Sequence, residues 1–170
     1  MNSAILRPLI IILLAAAAFF AWRQYRQPNF MPGDPIPDFT ATLANGQQMH
    51  LSDLRGKYVL LQFWGSWCGP CRAENPHLVQ LYQRYHPQGL EIFSIGIEQD
   101  TQSWQQAIRK DGLRWPYHSM EAQDFNGGIA RQFNIHSIPT TFLLNPEGVI
   151  MGVNHDLDRL ENVLESVLPK

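Results

Sequence analysis

Only two cysteines occur in the 170-residue chain, Cys68 and Cys71, and just Gly69 and Pro70 separate them. A pair that close cannot brace a multi-disulfide scaffold; it suits reversible thiol chemistry or one half of a metal site. The run Phe63-Trp64-Gly65-Ser66-Trp67-Cys68-Gly69-Pro70-Cys71 places it where a continuous apolar stretch gives way to residues at helical spacing. At such a junction the first cysteine meets unpaired backbone N–H groups and the positive end of the helix dipole. Both favour thiolate over thiol, so Cys68 is the expected nucleophile. Cys71 follows one helical turn later, within reach of a mixed disulfide on Cys68, and is the expected resolving cysteine. Pro70 falls in the first turn, where its missing N–H forfeits no hydrogen bond. A closed zinc site needs four ligands, and only scattered histidines remain to complete one. An inert core pair gives no reason for Gly-Pro between the two sulfurs.

The elements that must hold this pair are legible in the periodicity. Tyr58–Trp64 is too continuously apolar for a half-exposed strand and reads as a central one, buried on both faces. Leu78, Leu81, Tyr82 and Tyr85 recur at helical spacing, and Gly89 closes that helix before the apolar run Leu90–Ile97, giving a βαβ unit. Upstream, residues 39–43 and 47–50 flank Asn45-Gly46, a tight hairpin signal. Downstream, residues 101–110 read as a helix ending at Asp111-Gly112 and residues 128–133 as a shorter one, with no clear period between them. Thr140–Leu144 and residues 149–153 flank Asn145-Pro146-Glu147-Gly148 and form an antiparallel hairpin. Leu157, Leu160, Val163, Leu164, Val167 and Leu168 make one apolar stripe, a closing amphipathic helix.

Charged residues are 16% of the chain and the formal charge is −2, so neither disorder nor a basic nucleic-acid surface is expected. Residues 9–22 form an unbroken apolar run between Arg7 and the pair Arg23 and Arg26. Fourteen helical residues reach only about 21 Å against a hydrocarbon core of roughly 30 Å. Started at Ala4, with Arg7 snorkelling and Trp22 and Tyr25 at the interface, the span approaches about 28 Å. The reading adopted is an uncleaved single-pass anchor in the inner membrane, with the folded domain on the periplasmic or other extracytoplasmic side. Ala15 to Ala18 keep a cleaved signal peptide open as the alternative. The expected division is residues 1–26 as anchor or signal, 27–37 as a proline-rich linker and 38–170 as one domain.

The Trp-Cys-Gly-Pro-Cys motif at a strand-to-helix junction resembles thioredoxin, and Ile138-Pro139-Thr140-Thr141 resembles the cis-proline loop of that superfamily. Further matches at Gly33-Asp34-Pro35-Ile36-Pro37-Asp38-Phe39, Leu51-Ser52-Asp53-Leu54-Arg55-Gly56-Lys57 and Cys71-Arg72-Ala73-Glu74-Asn75-Pro76 are similar to the membrane-anchored TlpA/ResA-like group, which carries the AhpC/TSA-thioredoxin domain. The resemblance implies a thioredoxin-like α/β fold, a central mixed sheet flanked by helices with an N-terminal hairpin. It implies dithiol–disulfide exchange without a cofactor or metal. Pro139 would face the cysteines and leave the backbone of Ile138 free to pair with an extended substrate. Trp67, Gly69, Pro70, Ile138 and Thr140 would form the substrate surface, with Trp64 in the core. Gln62 stands where cytosolic thioredoxin has a buried aspartate and cannot accept a proton; Glu74 matches the glutamate that takes this role in the TlpA/ResA-like group.

The resemblance further implies a reductase fed by a membrane-embedded thiol donor, acting on exported proteins such as apocytochrome c, with lipid contact through the N-terminal helix and no nucleic-acid partner. Two rivals stay open. A peroxiredoxin-type peroxidase carries threonine or serine three residues before its cysteine, whereas Gly65 occupies that position here. A copper-handling protein would combine Cys68 and Cys71 with a distal histidine such as His136.

Overall fold

In the computed structural model, residues 3–25 and 29–168 are described. Helix α1 (Ser3–Tyr25) is followed by strands β1 (Thr40–Thr42) and β2 (Gln48–His50), then β3 (Tyr58–Trp64), α2 (Gly69–Tyr85) and β4 (Leu90–Ile97). The chain continues through α3 (Thr101–Asp111), β5 (Tyr117–Glu121), α4 (Gly128–Gln132), β6 (Thr140–Leu144), β7 (Ile150–Val153) and α5 (Leu157–Val167). β1 and β2 pair antiparallel as the expected hairpin, with Gly46 alone at positive φ, +85°, in its turn. The main sheet runs β5-β4-β3-β6-β7, parallel through β5, β4 and β3 and antiparallel through β6 and β7, so the expected mixed sheet is present.

Strand alternation sorts the core into two layers. Val59, Leu61, Phe63, Phe93, Ile95 and Phe142 face the hairpin and α4. Leu60, Trp64, Ile92 and Leu143 face the opposite way, toward α2, α3 and α5, and the two cysteines belong to this second layer. β3 is buried along nearly its whole length because strands flank it and layers cover both its faces. It therefore delivers Cys68 from a rigid base.

α3 lies close against β4 because position 96 is glycine. A Cβ there would sit 2.5 Å from Nε1 and 2.8 Å from Cδ1 of Trp104, itself 3% exposed. Gly96→Ala should therefore destabilise the fold by about 1–3 kcal/mol, the usual cost of overpacking. A denaturant midpoint equal to that of the parent protein would show that the contact relaxes freely.

Three segments add to the sequence reading or depart from it. Residues 117–121, which carry no readable period, form the edge strand β5, placed by parallel pairing with β4. The expected linker, from residue 30 on, is packed: Phe30 lies against the core, the Gly33 N–H donates to the Ile150 carbonyl at 2.8 Å, and Ile36 is buried. Arg26, Gln27 and Pro28 lie outside the described residues.

The third change concerns the inner-membrane anchor, which is corrected: among the described residues no helix is long and apolar enough to cross a membrane. In α1 the charged Arg7 and the adjacent Pro8 confine the unbroken apolar stretch to residues 9–22. That stretch covers about 21 Å of the roughly 30 Å required. The lipid contact and the extracytoplasmic orientation inferred from the anchor lose their basis with it.

Candidate active site

Cys68 caps the N-terminus of α2 in extended conformation, and its sulfur accepts the Cys71 N–H at 3.2 Å. Gly69 and Pro70 occupy the first turn, where the helix has N–H groups to spare. The sulfurs form a disulfide with Cα atoms 5.3 Å apart. Cys68 retains 4% exposure and Cys71 none, so Cys68 is the sulfur nearer to solvent.

The Ile138–Pro139 bond is cis. Ile138 packs on the layer that holds the cysteines, and its Cδ1 together with the Trp67 indole closes over Gly65. A Cβ on Gly65 would lie 2.9 Å from Trp67 Nε1 and 3.1 Å from Ile138 Cδ1. Trp67 is 57% exposed yet fixed: its Nε1 donates to the Ile97 carbonyl at 2.9 Å and its ring meets Phe125 edge-on. Trp64 is fully buried. Thr140 is buried as well, and its hydroxyl donates to the Ser137 carbonyl at 2.7 Å, bracing the proline loop.

Glu74 is half-buried on α2, and burial alone pushes its carboxyl above the ordinary range. It shares a cavity of about 260 Å³ with Pro139, Thr141, Asn154, His155 and Asp156. One opening therefore joins the α2 carboxylate to the proline loop. His136 bonds Asn134 and stacks on Tyr25 at 4.2 Å. Among the described residues no group of three His, Cys, Asp or Glu side chains is placed to hold a metal ion, and His136 is engaged with Asn134 and Tyr25.

A buried polar chain beneath the motif escaped the sequence reading. Trp115 Nε1 donates to the Ser94 hydroxyl at 2.9 Å, which donates to Gln62 Oε1 at 2.9 Å. Gln62 Nε2 leads on to Asn75 Oδ1 at 3.4 Å, and Asn75 Nδ2 donates to Asp111 at 2.7 Å. Asp111 takes the Arg72 guanidinium on both oxygens. The available signal was an aspartate at the last position of a helix, the end where the dipole disfavours an anion.

Residues 32–153 match the AhpC/TSA family. Over 167 residues the chain is 33% identical to the thiol-disulfide oxidoreductase ResA of Geobacillus kaustophilus, covering 95% of this chain and 93% of that protein. The ResA protein of Oceanobacillus iheyensis is 32% identical, with 99% and 91% covered. Among solved structures, the thioredoxin domain of a thiol-disulfide oxidoreductase from Bacteroides vulgatus is similar with a TM-score of 0.76 at 28% identity, over 83% of this chain and all of that one.

Proposed function

The chain belongs to the AhpC/TSA family, where it groups with the ResA-like thiol-disulfide oxidoreductases, and from there we propose that it is a reductase of protein disulfides. The observation that carries the reading is the asymmetry of the pair: Cys68 sits at the helix N-terminus with a backbone N–H on its sulfur, while Cys71 is sealed behind it.

In the reduced protein the Cys68 thiolate attacks one sulfur of a substrate disulfide. A mixed disulfide forms and the other substrate sulfur leaves as thiolate. Cys71 passes its proton to Glu74, whose half-buried carboxylate lies one helical turn further along α2, and attacks the Cys68 sulfur. The mixed bond breaks, the second substrate thiolate leaves, and the Cys68–Cys71 disulfide carries away the two electrons' worth of oxidation. The resting protein must then be re-reduced by a dithiol donor. Ile138, Pro139 and Trp67 offer the surface against which an extended substrate lies, with main-chain pairing at Ile138. Gly69-Pro70 between the sulfurs and Ile138 before Pro139 favour the reducing direction, and the closely spaced cysteines of apocytochrome c make it the first substrate to try.

A stoichiometric assay tests this reading. The reduced protein, mixed with a peptide holding a Cys-x-x-Cys disulfide, should form one disulfide for each one it opens, and it should consume hydrogen peroxide no faster than free dithiol. Peroxide consumption well above that background, with no thiol appearing on the peptide, would move the chain to the peroxidase class.

A further inference from the structure

Ser66, two residues before the nucleophile, has every polar group held by a charged side chain. Its N–H donates to Glu98 Oε2 at 3.1 Å, and its hydroxyl donates to the same oxygen. Its carbonyl accepts from Arg72 Nη1 at 3.2 Å. Glu98, 5% exposed, follows the last residue of β4. Arg72 lies near the start of α2 and is clamped by Asp111, the last residue of α3, through a two-pronged contact that includes Nη2 to Oδ1 at 2.6 Å. The Asp111 side chain is only 10% exposed.

Both members of this pair stand at the wrong ends of their helices, a cation near a positive terminus and an anion at a negative one. Local energetics therefore do not explain them, and their pairing does not serve the sulfurs, to which neither bonds. Besides ending the buried Asn75–Gln62 chain through Asp111, the pair holds, through Arg72, the carbonyl of Ser66. The turn from Gly65 to Cys68, closed by the Cys68 N–H to Gly65 carbonyl bond at 3.1 Å, pivots on that residue.

We propose that Glu98 and the Arg72–Asp111 pair are positioning residues that grip Ser66 from opposite sides, fixing the Cys68 sulfur against the N–H groups at the start of α2. The inference rests on the thiol-exchange reading for its purpose, but not for its test. The Arg72 charge is already matched by Asp111, so the guanidinium acts through its forked geometry. Lysine keeps the charge but not the fork. Loosening Ser66 lets the sulfur drift from donors that stabilise its thiolate.

The sign of one shift separates positioning from simple electrostatics. Removing an anion from this neighbourhood by charge alone makes a thiol more acidic. Loss of the grip makes it less acidic. In the full chain carrying Cys71→Ser, the rate of Cys68 alkylation by iodoacetamide is followed from pH 5 to 10 for Glu98→Gln, Asp111→Asn and Arg72→Lys, each checked for native circular dichroism. The midpoint should rise by about one unit in every folded variant, a loss of about tenfold in thiolate below the midpoint. A midpoint that falls in Glu98→Gln or Asp111→Asn, or stays at the parent value in all folded variants while only their stability drops, overturns the proposal. Alkylation is read whether or not the protein reduces peptide disulfides, so failure of the reductase reading and failure of this one are told apart.

Discussion

Replacing Cys71 with serine should turn the protein from a turnover catalyst into a trap. Cys68 keeps its place at the helix cap and its backbone N–H donor, because that donor is the main-chain N–H of residue 71 and survives the substitution. The first attack therefore proceeds, and the mixed disulfide has no internal sulfur to resolve it. Multiple-turnover reduction should fall by about a thousandfold or more, as when one member of a catalytic unit is removed. Complexes that disappear with added thiol should accumulate on non-reducing gels. Cys68→Ser should lose turnover equally and trap nothing, since the remaining sulfur has no exposure. Equal trapping by the two variants would refute the division of labour. Mass spectrometry of the trapped species would name the substrates.

The second large effect is expected at Glu74. Glu74→Gln keeps the shape and removes the base, so formation of the mixed disulfide should be unchanged while its resolution slows by about 100-fold. The deficit should shrink as pH approaches the ordinary thiol range, where solvent deprotonates Cys71 unaided. Stability should move the other way. Burial holds the folded-state pKa of this carboxyl above its unfolded value. The ionised form thus works against folding at neutral pH, and the penalty fades as pH falls through the folded pKa toward the unfolded one. Glu74→Gln should be at least as stable as the parent at pH 7, with any advantage vanishing near pH 4. Rapid-mixing kinetics from pH 6 to 9 separate the two steps, and an unchanged resolution rate across that range would leave Glu74 an ordinary helix carboxylate.

The parts of the fold visible in the sequence were those whose local pattern and tertiary environment agree. β3 and β4 are buried on both faces and read as continuous apolar runs, and α2 and α5 carry a stripe because only one face packs. β5 was hidden because an edge strand with the pattern Tyr-His-Ser-Met-Glu owes its conformation to pairing with β4. Residues 30–36 read as linker because proline punctuates them, yet Pro35 bridges to Val149 and Ile36 fills the core. The anchor reading depends on starting the span at Ala4 with Arg7 snorkelling, whereas the uninterrupted apolar stretch begins only at residue 9.

At the site, the cysteines and proline loop carry strong local signatures. The grip on Ser66 does not, since Arg72 comes from α2, Glu98 from the loop after β4 and Asp111 from the end of α3, and they meet only after folding.

One codon change does not carry this loop to peroxide chemistry. The hydroxyl that a peroxidase places three residues ahead of its cysteine would have to grow from Gly65, into space already taken by Trp67 and Ile138. Trp67 cannot swing aside without giving up its bond to Ile97, and Ile138 is tied to the proline loop. The fold is shared across the family, but at position 65 of this chain even the bulk of a single methyl group meets the two side chains that shape the thiol-exchange surface.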